Sequence, residues 1–232
     1  MGLGKDFLED LIELKTRGAL TGAKRIVEIG AQQLCDELIL SPRLRELERL
    51  FSCSRLHFDP VGPENFTENA PLARPFWHHI GLVHESLDLR GGTISFDLNR
   101  RRVPWGMRGV FDLVVNGGTT EHVANQNNAF RAIHELTRPG GVMYHELPSL
   151  GWLDHGMIAY QPKFFHHLSR DNDYEILFFK IVPNKSWSAP DYFYEYNSPY
   201  NLPIPESGPS VMLRAAFRKK DNRKFKTPVD GY

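Results

Sequence analysis

The chain has 232 residues, 41% of them hydrophobic, with 28 Lys and Arg set against 28 Asp and Glu. That length suits one domain with a sizeable core, and a formal net charge of zero excludes a global field recruiting nucleic acid or an anionic membrane. Two cysteines, Cys35 and Cys53, fit neither a metal spacing nor a disulfide framework, and no apolar run nears membrane-spanning length, so a soluble cytoplasmic protein is expected.

The N-terminus is amphipathic and acidic, unlike a signal sequence, and Asp6 stands where a myristoylation site needs Ser or Thr. A first helix is predicted over about residues 5–18, capped by Asp6 and ended by Gly18, with Phe7, Leu11 and Leu14 on one face. Arg25 to Ile29 reads as a strand closed by Gly30. Ser41-Pro42 reads as an N-cap with proline at the first helical position, followed by the apolar face Leu44, Leu47 and Phe51. Residues 54–80 lack a clear period and are expected to form an irregular excursion. His84 to Leu89 and Thr93 to Leu98 are predicted strands separated by Arg90-Gly91-Gly92.

The segment from Phe111 to Pro148 is the most informative. An apolar strand ends at Asn116-Gly117-Gly118. Ala129, Ile133 and Leu136 fall at helical spacing, Pro139-Gly140-Gly141 breaks that helix, and Val142 to Leu147 is extended again. Two strands joined through a helix make a parallel βαβ unit, and open sheets of this kind bind ligands beyond the carboxyl ends of their strands. Polar residues gather there: Asn116, Thr119, Thr120, Glu121 and His122 after one strand, His145 and Glu146 at the end of the next. Pro162 to Leu168 is a predicted helix, and Glu175 to Val182 and Val211 to Phe217 are predicted strands. Between them, residues 183–210 hold six of the 16 prolines and many aromatics, and are expected to fold as an ordered insertion. The basic run Arg214 to Lys226 reads as a solvated terminal strand and tail.

Acidic residues close the early strands. Glu28 precedes the turn Gly30-Ala31-Gln32, where glycine lets backbone approach a ligand. The turn lacks the glycines of a G-x-G-x-x-G loop, which disfavours dinucleotide binding through the usual pyrophosphate turn. Asp88 can accept both hydroxyls of a ribose or stand as a solvated strand-end acid, and Asp97 in Asp97-Leu98-Asn99 makes the same offer where an adenine amino group would lie. His78-His79, His84 and His166-His167 match no ligand spacing, so no metal is expected from them.

On these residues the chain resembles the class I S-adenosylmethionine-dependent methyltransferases, and most of all a bacterial branch acting in small-molecule and sugar pathways. The shared motifs are Thr119 to Val123, Asn125-Gln126, Pro139 to Gly141, His145 to Pro148, His155-Gly156 and Gln161 to Phe165, within residues 22–182. The resemblance implies a Rossmann-like α/β fold: about seven mostly parallel strands, the last antiparallel, with helices on both faces. It implies S-adenosylmethionine as cofactor, held by Glu28, Gly30, Ala31, Gln32, Asp88, Asp97, Leu98, Asn116 and Gly117. It also implies a small-molecule or glycan-precursor acceptor. His155, His122 and Glu146 are the candidate catalytic groups; His155, beside Asp154 after the fifth strand, is the preferred base for an acceptor hydroxyl. Two other readings stay open, a catalytically silent methyltransferase-like binding protein and an NAD-dependent oxidoreductase.

Overall fold

The computed structural model describes residues 2–53, 72–152, 155–183, 194–195 and 210–230. Its strands are β1 (Gly2–Leu3), β2 (Arg25–Ile29), β3 (Gln33–Leu34), β4 (Val83–Asp88), β5 (Ile94–Ser95), β6 (Phe111–Gly117), β7 (Thr137–Pro148), β8 (Glu175–Pro183), β9 (Tyr194–Glu195) and β10 (Val211–Arg218). Its α-helices are α1 (Lys5–Thr16), α2 (Asp36–Ile39), α3 (Leu44–Leu50), α4 (Arg74–His79), α5 (Gln126–Leu136) and α6 (Pro162–Asp171).

Eight strands form one sheet in the order β5-β4-β2-β6-β7-β10-β8-β9. The first five pair in parallel, and β10 runs antiparallel between β7 and β8. The expected seven strands are therefore present, with the two-residue β9 added at one edge. Strands buried on both faces need apolar residues in both directions, and β2 supplies them. Val27 and Ile29 join the core under α5 and α6, whereas Ile26 joins the core under α1, α3 and α4.

α1 begins one residue before its expected cap. Gly4 is the N-cap and makes no side-chain bond, and Asp6 lies inside the first turn, where its charge complements the helix dipole. The end is as expected: Gly18, at φ 74°, donates to Lys15 O, and Ala19 donates to Leu14 O, a left-handed C-terminal motif that glycine favours. Ser41 does not cap α3; its Oγ accepts from Arg43 N at 3.3 Å in a turn, and α3 starts at Leu44. The predicted irregular stretch contains α4, whose Phe76 and Trp77 are buried; two apolar residues in six gave no readable period. The strand expected over 93–98 contracts to β5, because Phe96 and Leu98 turn inward to the core. β7 starts earlier than expected, at Thr137, and carries Pro139 to Gly141 within the strand. The core of the excursion (54–71), most of the aromatic insertion, and Asp154 lie outside the described residues.

Candidate functional site

From β2 the chain steps outward through β4 to β5, then crosses back to β6 on the other side of β2. The strand order reverses between β2 and β6, and a cavity of about 390 Å³ opens at their carboxyl ends. Of the residues expected to bind the cofactor, Gly30, Ala31, Gln32, Asp88, Asp97 and Leu98 line it, joined by His122.

The turn after β2 is built around close approach. Gly30 has φ 79°, and a Cβ there would lie 2.2 Å from Thr119 Oγ1. Gln32 does work that further glycines would leave to backbone. Its Nε2 donates to Ile29 O at 3.2 Å and to Thr119 Oγ1 at 3.1 Å, tying the β2 turn to the segment after β6. Its Oε1 is buried without a hydrogen-bond partner among the described residues and faces Gly117, where a Cβ would come within 3.2 Å of it.

The acids divide into two kinds. Asp88 holds the turn from across the sheet: Oδ2 accepts from Ala31 N at 2.8 Å and Oδ1 from Arg90 N at 2.9 Å. Asp97 Oδ1 accepts from Asn99 N at 2.8 Å in its own turn. Glu28 faces the other way. One residue along a strand reverses the side chain, so its carboxylate enters the α4 side. There Trp77 Nε1 donates to Oε1 at 2.6 Å, Gln32 N donates to Oε2 at 3.1 Å, and His84 Nε2 stands 3.0 Å from Oε2. Glu28 shapes the turn from beneath and does not line the cavity.

Two other expected residues also turn away. Asn116 is fully buried, donating from Nδ2 to Thr120 Oγ1 at 2.9 Å and lying 3.2 Å from His145 Nδ1. Glu146 emerges on the α1 face, where Tyr144 donates to it at 3.3 Å and loss of solvation pushes it up to about 7. Strand alternation separates it from His145, whose ring packs against Phe130 and Phe165 on the opposite face and is held down to about 3 by burial.

The catalytic candidates His122 and His155, 33 positions apart, converge on Glu121. Their ring centroids are 5.4 Å apart, and each Nε2 points toward Glu121 Oε1, at 3.8 Å from His122 and 3.6 Å from His155. Glu121 is fully buried, and burial pushes its carboxyl up to about 7. His155 is held below the ordinary imidazole value, chiefly by burial and then by His122. The sequence signal for Glu121 is its position before His122 in the Thr119 to Val123 motif. Gln126 and Tyr160 brace the same turn: Tyr160 O–H donates to Gln126 Oε1 at 2.6 Å, and the tyrosine oxygen lies 2.9 Å from the Thr120 hydroxyl.

No protein-family profile and no curated protein matches the chain. Solved structures similar to it include a SAM-dependent methyltransferase from Thermotoga maritima, 14% identical, covering 90% of this chain and 89% of that one at a TM-score of 0.42. Another is the 1,6-didemethyltoxoflavin-N1-methyltransferase of Burkholderia thailandensis, 12% identical, covering 92% and 80% at 0.47. A third is the 16S rRNA (adenine(1408)-N(1))-methyltransferase of Catenulisporales acidiphilia, 9% identical, covering 91% and 94% at 0.44.

Proposed function

We propose that this chain is a class I S-adenosylmethionine-dependent methyltransferase that methylates a hydroxyl of a small-molecule acceptor, with a sugar-bearing intermediate as the first candidate. The observation that carries this reading is the cavity itself: Asp88 and Asp97, from two neighbouring strand ends, face one tight turn at the point where strand order reverses.

The residues present fit the cofactor. An ionised carboxylate offers about four lone-pair sites, and Asp88 spends one on each oxygen, which leaves capacity for a ribose diol. Phe96, Leu98 and Val123 supply apolar walls for an adenine beside Asp97. The unpartnered Gln32 Oε1, next to Gly117, suits the ammonium of an amino-acid tail. When bound, S-adenosylmethionine supplies a methyl group made electrophilic by the sulfonium, so the protein's tasks are alignment and acceptor activation. His155, with Glu121 and His122, forms the corner that activates the acceptor hydroxyl. Glu28 and Asn116 serve as supports, holding the two turns from within the core. A single domain in a reducing cytoplasm completes the reading; Cys35 and Cys53 are free, and no helix among the described residues is long and apolar enough to cross a membrane.

Calorimetric titration with S-adenosylhomocysteine and, separately, NADH tests this. Micromolar binding of the first and none of the second is expected. NADH binding without a response to S-adenosylhomocysteine would overturn it, and tight cofactor binding without transfer to any hydroxyl acceptor would favour the silent binding protein.

A further inference from the structure

Glu121 is an acid that the fold buries and leaves unanswered. Its side chain is 0% exposed, and neither Oε1 nor Oε2 has a hydrogen-bond partner among the described residues. A carboxylate in that position is ordinarily paired or bound to a metal, because desolvating it alone is costly. His155 Nε2 is likewise buried and unpartnered. It lies 3.6 Å from Glu121 Oε1, and His122 Nε2 lies 3.8 Å from the same oxygen. Both separations exceed a hydrogen bond. They are close to the spacing of donors that share an ion, since ligands roughly 2.1 Å from a tetrahedral centre stand about 3.4 Å apart. All three donor atoms lie within 4.8 Å of one another.

The surroundings fix Glu121 and His155. The Glu121 carbonyl accepts from Met157 N at 2.9 Å and Ile158 N at 3.1 Å, which stitches the chain after His155 to the residue His155 faces. Gly156 permits that approach: a Cβ there would come 2.9 Å from Glu121 Cγ. Trp152 packs edge-on against the His155 ring, with centroids 4.8 Å apart.

We infer that Glu121, His122 and His155 form a binding site for a divalent first-row transition ion of the zinc class. Two imidazoles with one carboxylate suit such an ion better than Mg²⁺ or Ca²⁺, which prefer all-oxygen shells. Three protein ligands leave a position for an exchangeable one, as in catalytic zinc sites. His122 is also a wall of the cavity, so the ion sits beside it. Its part in catalysis rests on the methyl-transfer reading. An acceptor hydroxyl at the open position gives up its proton to solvent more readily. Its oxygen lone pair then forms the new C–O bond while the C–S bond breaks and its electrons pass to sulfur. The ion site itself does not depend on that reading.

Chelator-stripped full-length protein titrated with Zn²⁺ by calorimetry, and with Co²⁺ by visible absorption, tests the site. The wild type should take one equivalent at micromolar or tighter affinity, with absorption bands of low-symmetry four- or five-coordinate cobalt. Binding should weaken roughly a hundredfold in Glu121→Gln and at least about tenfold in His122→Ala and His155→Ala. Zn²⁺ should raise the wild-type melting temperature and leave that of Glu121→Gln unmoved; the stripped variants' own melting temperatures report whether they fold. Absence of binding by the wild type overturns the site, and so does binding undiminished in folded Glu121→Gln. S-adenosylhomocysteine titrated into the same stripped samples separates the two readings: retained cofactor binding without zinc binding removes the ion site alone, and the converse removes the methyl-transfer reading alone.

Discussion

Gly30 and Thr119 meet so closely that a methyl group on the glycine would stand 2.2 Å from the threonine Oγ1. The contact joins the turn after β2 to the segment after β6, the two edges of the switch point. Gly30→Ala adds the clash to the strain of φ 79° in a residue with a side chain. Affinity for S-adenosylhomocysteine should fall at least tenfold, and Gly30→Ala/Thr119→Ala should recover part of it. A double variant no better than the single one would show that backbone strain alone governs the site.

Asp88 ends β4 and Glu28 stands one residue before the end of β2, and the structure gives them different work. Asp88→Ala removes a carboxylate that lines the cavity and holds Ala31 N, and should weaken S-adenosylhomocysteine binding by about 1–3 kcal/mol. Glu28→Ala removes the acceptor for Trp77 Nε1 and Gln32 N inside the core, so its main effect should be on the melting temperature. Calorimetry and thermal melts on both variants check the division. Equal losses of affinity at unchanged stability would sink it.

His155→Ala should lower turnover on the true acceptor by about 10²–10⁴-fold, the range of a lost acid–base or activating group. Cofactor affinity should hardly change, because the ring faces Glu121 and is not among the cavity's walls. Full activity in the variant, measured with saturating cofactor, would make His155 structural.

The architecture was legible in the chain because parallel strands buried on both faces leave compact apolar runs, as at Arg25 to Ile29 and Phe111 to Val115. Elements carried by few apolar residues were not: α4 buries Phe76 and Trp77 within six residues. Among the candidate site residues, Gly30, Ala31, Gln32, Asp97 and Leu98, in the loops beyond strand ends, line the cavity, because a strand end fixes where its turn emerges. Glu28, Asn116 and Glu146 lie within strands, where a one-residue alternation decides the face and neither face is polar enough to announce itself. Glu121 was hidden for another reason. Its significance comes from His155, which reaches it only through the backbone bonds of Met157 and Ile158.

The last prediction concerns acid. His134 is a buried residue of α5, with Nε2 donating to Arg223 O at 2.8 Å and Nδ1 accepting from Tyr174 O–H at 2.7 Å. Burial, and then Lys219, hold the ring down to about 4; the bond to Arg223 O and the charge of Asp221 act against them, and the Arg223 guanidinium acts with them. The folded ring therefore stays neutral while the unfolded chain binds a proton below the ordinary value of 6.5. Stability is lost as pH falls through that window, by about 3 kcal/mol in all for this group. His145, held down to about 3, acts the same way. Glu146, pushed up to about 7, acts oppositely, since its folded form takes up a proton first. The wild-type profile between pH 7 and 4 is thus a partial cancellation, and the readout is a difference. His134→Gln should be less stable than wild type at pH 7 but should close that gap by roughly 6–12 °C in melting temperature on acidification to pH 4. Parallel profiles for the two proteins would show that His134 takes up its proton equally in the folded and unfolded states.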